Sequence, residues 1–514
     1  MSRVLILPIA ALFALVAGCA SLPPPEGWTV TTAIAGTDVT RLGRAVSPLV
    51  AANPGTTGIH ALGAPHDAFA ARALLAAAAD KSLDVQYYIW HGDRVGLLLF
   101  EALARAADRG VRVRLLLDDL NTGGLDATLA ALDAHPNLEV RLYNPFAQRG
   151  ARALGFLAEF GRLNRRMHNK SFTADGHVSV VGGRNVGDEY YAAGSGPVFA
   201  DLDVIAVGPA ARDVSAQFDL YWNSASAYPA AGLLGAGGHG GGEDLQAQFA
   251  SVRADPRSAA YVEAVRTSPL VRDLLAGRLA LEWTRARLVH DDPAKTLDET
   301  ARAGTLLFPE LVRTLGQPEG KLDLVSPYFV PGDEGTAALA ALARRGVQVR
   351  ILTNSLAAAE ASVVHAGYAK RRQELLRAGV RLLELKPTAG QRTQGEKPAA
   401  GSSSSSALHA KTFAVDGRRI FVGSFNFDLR SALLNTELGL VIDSPALAQR
   451  LAGLLDLAAG EAAYEVRLRE DGEGLVWIER TAAGEKRHDT EPGAGWFRRF
   501  AVGVYSALPI DWML

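Results

Sequence analysis

Two stretches of this 514-residue chain carry the same side chains at the same spacing. The first reads Met167-His168-Asn169-Lys170 and runs on to Asp175, Gly182 and Asn185. The second reads Leu408-His409-Ala410-Lys411 and runs on to Asp416, Gly423 and Asn426. Chance supplies one His-x-Lys-x4-Asp match roughly 0.03 times in a chain of this size. A lone His is usually structural and a lone Lys usually solvated, so the pairing carries the signal. On a strand, His and Lys at i and i+2 share a face. Two His and two Lys converging between domains suit a phosphodiester. Lys ammonium groups and Asn amides can hold the phosphoryl oxygens and stabilise a five-coordinate transition state. One imidazole can attack phosphorus to form a phosphohistidine, while the other protonates the leaving alcohol and deprotonates the incoming one. The scheme needs no metal or other cofactor. A binuclear centre would want several carboxylates among the His ligands, and a Lys beside His repels a cation. Asp175 and Asp416 join the site by spacing, yet each precedes Gly and reads equally as a turn former.

The elements that must position these groups follow from pattern. MHNKSFTAD and LHAKTFAVD start as strands. An Asp-Gly turn then leads into a returning antiparallel strand at VSVV or RIFVG. Gly182 and Gly423 are expected to end that strand and let backbone approach a ligand. Upstream, helix and strand alternate: Leu83 to Trp90, the helical run Val95 to Asp108, then VRVRLLL ending at Asp118 and Asp119. The order returns as LDLVSPYFV and VQVRILT. This predicts two similar α/β domains, each a mixed, mostly parallel sheet flanked by helices, packed as a pseudo-twofold pair. The expected boundaries are 59–234 and 318–460, with a Gly-rich loop and helical connector at 235–317 and a C-terminal extension at 461–514. In the connector, Gly235 to Gly242 reads as a flexible loop with His239 in solvent. Pro387 to Ser406 reads as a second polar loop. The extension's Trp496, Phe497, Phe500, Tyr505 and Trp512 are expected to pack onto the body.

Composition narrows the class. The chain is 48% hydrophobic with a formal charge of −2, which excludes a disordered chain and argues against a long nucleic-acid groove. A single Cys excludes disulfide frameworks and Cys-based zinc clusters. Residues 1–18 read as a secretion signal with Arg3 before an apolar run. Val16-Ala17-Gly18-Cys19 resembles the lipobox of bacterial lipoproteins, in which the Cys is acylated and begins the mature chain. Residues 19–58 then form a tether and lead-in. By the sorting rule of those lipoproteins, Ala20 and Ser21 imply the periplasmic face of the outer membrane.

Both motifs resemble the paired HKD motifs of the phospholipase D superfamily, and within it the chain is similar to the bacterial cardiolipin synthases of the C type. The resemblance spans about Asp67 to Asp443. It implies His168 as nucleophile and His409 as general acid and base. Lys170, Lys411, Asn185 and Asn426 bind phosphate, and Asp175 and Asp416 support the site. Glu437 is expected to orient His409 through its second ring nitrogen, with Asp201 and Asp203 serving the first half similarly. The halves differ where Gly183 faces Ser424 and Arg184 faces Phe425. One of Arg162, Arg165 and Arg166 is expected to face an anionic headgroup. Leu154 to Phe160 reads as an acyl-chain contact or simply as helix. A segment like Thr353 to Tyr368 lies near the cleft in the resembled synthases. The implied reaction is phosphatidyl transfer from phosphatidylglycerol to a second phospholipid, with hydrolysis, a nuclease and a non-enzymatic scaffold as alternatives. The implied partners are phospholipids and, through the lipid anchor, the membrane. No nucleic acid is expected. The monomer carries both half-sites, and an accessory protein stays open.

Overall fold

The structure, a computed structural model, describes residues 22, 27–191, 200–234, 241–297, 306–359, 361–387 and 408–514. The signal segment, Cys19 with Ala20 and Ser21, His239, and the polar loop from 388 to 406 lie outside the described residues. Gly241 and Gly242, expected in a loop, open a helix that runs to Ala254.

In the first half the strands are β1 (Thr57–Leu62), β2 (Ser82–Tyr87), β3 (Arg112–Asp118), β4 (Leu138–Tyr143), β5 (Ser171–Ala174), β6 (Val178–Gly182), β7 (Asp203–Val207), β8 (Ala227–Pro229) and β9 (Glu282–Thr284). They form one sheet in the order β8-β4-β3-β2-β5-β6-β7-β1-β9. The second half holds β10 (Ala286–His290), β11 (Lys321–Val325), β12 (Phe329–Val330), β13 (Gln348–Asn354), β14 (Arg381–Leu385), β15 (Thr412–Val415), β16 (Arg419–Gly423), β17 (Phe427–Asp428), β18 (Leu438–Ile442), β19 (Ala463–Leu468), β20 (Leu475–Thr481) and β21 (Gly484–His488). Its main sheet runs β10-β18-β16-β15-β11-β13-β14-β19-β20-β21, and β12 pairs with β17 apart from it. Read from β8 to β1 and from β19 to β10, the two orders match strand for strand. The halves are two α/β domains of one topology in a pseudo-twofold arrangement.

The expectation of mostly parallel sheets is corrected. Only β2 with β3 and β3 with β4 are parallel in the first sheet. Only β11 with β13 and β13 with β14 are parallel in the second main sheet. The helical crossovers that alternation reveals make these pairs. Each motif hairpin then adds itself and two further neighbours antiparallel, which the helix–strand rhythm does not show. The 235–317 connector also does more than link, since it supplies β9 to one sheet and β10 to the other. The lead-in likewise carries a helix, Arg41–Ala52, whose Leu42 and Val46 join the first core.

Side chains alternate across each sheet with period two. On β7, Ile205 and Val207 meet the outer helices Pro65–Ala78 and Arg94–Asp108, while Val204 and Ala206 face the other half. On β18, Val441 points outward, and Leu438, Leu440 and Ile442 point inward. Helices Pro209–Trp222 and Pro445–Leu457 follow β7 and β18 and share this inner core. An ion triad around a buried arginine repeats as well. Arg114 on β3 bonds Asp84 on β2 and Asp219, each at 2.7 Å. Arg350 on β13 bonds Asp323 on β11 at 2.6 Å and also Asp456. Those Asp and Arg positions carry much of the likeness between the strand sequences of the two halves.

Each motif hairpin turns on its Asp-Gly pair. Asp175 and Gly176 have φ of 50° and 67°, and Asp416 and Gly417 have 53° and 62°. Two left-handed central residues are what a type I′ turn requires. The Asp175 carboxylate accepts from the amides of Asp80, Lys81 and Ser82 at 2.8–3.0 Å. Asp416 accepts from Glu319, Gly320 and Lys321 at 2.8–3.3 Å. Each carboxylate therefore ties the turn to the start of the neighbouring strand. Seven residues of extended chain put it roughly 20 Å from its histidine. Of the two readings of these aspartates, the geometry favours the turn former and sets them apart from the reacting groups. Asp175→Ala leaves these amides without an acceptor, with an expected loss of about 2–4 kcal/mol. Asp416→Ala should lose less, because the amides it serves are more exposed. Urea unfolding midpoints of the two variants check the order, and turnover per folded molecule should stay near that of the parent.

Candidate active site

Each motif strand begins against a segment of the opposite half. His168 donates its backbone N–H to Thr436 O at 2.8 Å, and Thr436 donates to Arg166 O at 2.9 Å. His409 and Ala410 both donate to Ala200 O at 3.0 Å. Each of these segments delivers a carboxylate one residue later. Glu437 lies 2.8 and 3.0 Å from His168 Nδ1, and Asp201 lies 2.6 Å from His409 Nδ1.

The pairing is therefore crossed, and this corrects the sequence expectation. Glu437 orients His168, not His409, and Asp201 orients His409 rather than a residue of its own half. In sequence, each carboxylate trails the histidine of its own half by a similar interval, so spacing does not distinguish the two pairings. The parallel bridges Met167 to Thr436 and Ala200 to Leu408 decide it. Asp203 serves neither histidine. It is locked between Arg72 at 2.8 Å and Arg184 at 3.3 Å.

The glycines fit around these carboxylates. A Cβ on Gly183 would lie 2.2 Å from Asp201 Oδ1, and one on Gly182 would lie 2.6 Å from Leu202 O. A Cβ on Gly423 would lie 2.4 Å from Leu438 O. The close approach required of Gly182 and Gly423 is thus to the neighbouring strand, not to a ligand. In the repeat Ser424 replaces Gly183, and its hydroxyl donates to Glu437. Arg184 is buried and donates to the Asp201 carbonyl at 2.8 Å, whereas Phe425 stacks on Phe308.

Lys170 Nζ donates to His168 O at 2.7 Å and sits 5.2 Å from the Tyr88 ring centre. Lys411 Nζ donates to His409 O at 2.6 Å and lies 3.0 Å from both nitrogens of that ring. Tyr88 meets His168 edge-on at 4.8 Å, and Tyr190 meets His409 edge-on at 5.0 Å. Composition reads both tyrosines only as strand or loop residues, and no motif spacing marks either of them. Asn185 accepts from the Ile89 amide at 3.2 Å and donates to Tyr190 Oη at 3.1 Å. Its amide thus steadies the ring beside His409 and keeps one N–H in reserve. Asn426 is buried with its Oδ1 unpartnered.

A supporting layer lies behind. Arg166 turns inward, bonds Asp118 at 2.6 and 2.8 Å, and so cannot face a headgroup. Asp118 also accepts from the Met167 amide at 2.8 Å, fixing the entry to His168. Arg162 is taken up by Glu159 and Asn144. In the second half Asn354 occupies the place of Asp118 and donates to Leu408 O at 3.2 Å. His365 and Tyr368, from the same segment, belong instead to a buried cluster with Arg372, Glu384 and Glu491. Beneath Glu437, its amide donates to Asp291 at 2.9 Å, and Asp291 pairs with buried Lys295 at 2.9 Å.

Burial, then the nearby Lys170, Lys411 and His409, push the His168 imidazole well below its usual pKa. The ring is therefore neutral at pH 7. With Ser424 donating to Glu437, the carboxyl group accepts from Nδ1–H and leaves the Nε2 lone pair for the cleft. Burial raises Glu437 to about 8 against the pull of Lys170. Asp201 differs. Burial raises it too, but His409, Lys411 and Arg184 outweigh burial and hold it at about 2. An ionised carboxylate at 2.6 Å stabilises positive charge on the ring it faces. Burial and Lys411 lower Lys170 well below its usual value despite Glu437 and Asp201. A phosphoryl anion arriving between the lysines would reverse that. The pocket thus pairs one neutral, nucleophile-competent ring with a second ring set against a firm anion.

Known proteins agree with this geometry. The family model described as "Cardiolipin synthase, PLD-like domain" matches residues 72–195 and 311–456, one match in each half. Cardiolipin synthase C of Escherichia coli K12 is 48% identical over 474 residues, covering 92% of this chain and all of that protein. Cardiolipin synthase A of Pseudomonas syringae pv. syringae is 28% identical over 77% of this chain and 67% of its own length. In fold, the crystal structure of phosphatidylserine synthase from Haemophilus influenzae Rd KW20 superposes with a TM-score of 0.54 at 13% identity, covering 92% of this chain and all of that one. The chain belongs to the phospholipase D-like family of cardiolipin synthases and is an enzyme of phosphodiester or phosphotransfer chemistry.

Proposed function

We propose that the protein is a phosphatidyltransferase that makes cardiolipin from phosphatidylglycerol and a second phospholipid. The observation that carries the reading is the crossed pair of histidine–carboxylate contacts, which sets two imidazoles of different charge character in one lysine-lined pocket. His168 Nε2 attacks the donor phosphorus. Lys170, Lys411 and Asn426 take up the charge on the phosphoryl oxygens. His409 gives its proton to the leaving alcohol, and the P–O bond breaks as the P–N bond forms. The acceptor's hydroxyl then loses its proton to His409 and displaces His168, which restores both rings. Water in place of the acceptor gives phosphatidic acid. Similarity to the cardiolipin synthases supports the substrate class, and the expected lipid anchor at Cys19 would keep the enzyme at the membrane of the envelope. No helix among the described residues is long and apolar enough to cross a membrane.

The test is mass spectrometry of lipids extracted after incubation with phosphatidylglycerol alone and with phosphatidylethanolamine. Cardiolipin is the expected product, and it should be lost in both His168→Ala and His409→Ala. Phosphatidic acid alone would make the protein a phospholipase D. No lipid product under either condition would refute the reading.

A further inference from the structure

The C-terminal aromatic residues do not pack onto the body as the sequence suggested. In helix Trp496–Ser506 only Val502 is buried, and the helix rests on Ser362–Ala369 through its inner side. Trp496, Phe497 and Phe500 are 72%, 69% and 62% exposed. Trp496, Phe500, Val504 and Leu508 recur at intervals of four and form one outward stripe, which Trp512 extends. A second apolar patch stands on the first half, where Leu154 and Leu157 are 55% and 75% exposed beside Phe160.

One side chain joins the two patches at the rim of the active site. Arg430 donates to Asn164 Oδ1 at 2.7 and 2.9 Å and to Met513 O at 3.2 Å. Phe160 lies one helical turn before Asn164, and Trp512 lies one residue before Met513. Arg430 itself falls between Asn426 and Glu437 of the site. Charge follows the same pattern. Residues 496–510 hold two arginines and no acid, on a chain whose formal charge is −2. Trp and Phe beside Arg on a helix lying flat is the composition of an interfacial membrane contact.

We infer that these two patches form one docking face for an anionic phospholipid bilayer, seated on both halves with the cleft between them. The choice of a bilayer as occupant rests on the phospholipid reading above. The face would lower the cleft to headgroup depth, so that a donor lipid reaches His168 with its acyl chains still in the membrane. It acts apart from any anchor at the N-terminus.

The test uses the full chain carrying Cys19→Ser, which removes the only native thiol. Phe500→Cys, Leu157→Cys and Asp38→Cys are each labelled with an environment-sensitive fluorophore. Asp38 is 77% exposed and lies beside His177, at the turn end of the first hairpin and away from the cleft. Vesicles of phosphatidylglycerol and phosphatidylethanolamine should raise emission about five-fold at positions 500 and 157 and leave position 38 unchanged. Lipid-borne quenchers should reach the first two labels only. A combined Trp496→Ser, Phe497→Ser, Phe500→Ser variant should lose about ten-fold in turnover of vesicle lipid yet keep its rate on short-chain monomeric phosphatidylglycerol. Equal responses at all three positions would overturn the proposal. So would a rise at 500 and 157 that follows protein concentration without lipid, which would make the face a contact between copies. Insertion without any lipid turnover would leave the docking face standing and remove the proposed reaction; turnover without insertion would do the reverse.

Discussion

A His409→Ala variant given the p-nitrophenyl ester of phosphatidic acid should release one p-nitrophenolate per enzyme molecule and then stall. His168→Ala should release none. p-Nitrophenolate leaves without a proton, so the first step needs the nucleophile and not the general acid. The second step needs a base to activate the acceptor, and in the proposed mechanism His409 is that base. The stalled enzyme should carry a phosphatidyl group on His168, seen as an intact-mass increase that acid removes. With a natural glycerol leaving group both variants should fall by about 10,000-fold or more. The burst also has a predicted pH dependence. His168 attacks as the neutral ring, and burial with two neighbouring lysines holds its pKa well below 6.5. The burst rate should therefore stay level above pH 6.5 and decline only at lower pH, as the ring becomes protonated. A burst in His168→Ala and none in His409→Ala would exchange the two roles.

The parts of this site legible in the sequence are those fixed by short-range geometry. His, Lys and the Asp-Gly turn lie within one hairpin, whose period and turn residues state its shape. The Asp and Arg of the repeated strands likewise announce the duplication, because the triad needs both charges in register. What stayed hidden depends on contacts between the halves. Glu437 and Asp201 were visible as candidates, but their histidines were assigned to the wrong half, since nothing local records which edge a strand will meet. Gly182 and Gly423 read as freedom for a ligand and are room for the neighbouring strand. Arg166 reads, with Arg162 and Arg165, as one of three candidate headgroup ligands because its partner Asp118 lies 48 residues away. The exposed stripe from Trp496 to Leu508 was misjudged for the opposite reason. Apolar periodicity shows that a helix has a face to cover and is silent about whether protein or lipid covers it.

The crossed carboxylates make the second large prediction. Glu437→Gln, a change in the second half, should behave as a lesion of His168 in the first. In the proposed mechanism the phosphohistidine step puts positive charge on that ring, which favours ionised Glu437 beside it, and an amide cannot ionise. The burst with the p-nitrophenyl ester should slow by roughly 100- to 10,000-fold. Its acid limb should stay where it is in the parent, because Glu437, raised to about 8, is already uncharged at that pH. Asp201→Asn, in the first half, should behave as a lesion of His409 in the second. The burst should remain within a few-fold of the parent, while turnover with a glycerol leaving group falls by roughly 100- to 10,000-fold. If each carboxylate served the histidine of its own half, the two phenotypes would be exchanged. The crossing also explains why neither half should work alone: each histidine receives its orienting carboxyl group, and the backbone carbonyl that seats it, from the other.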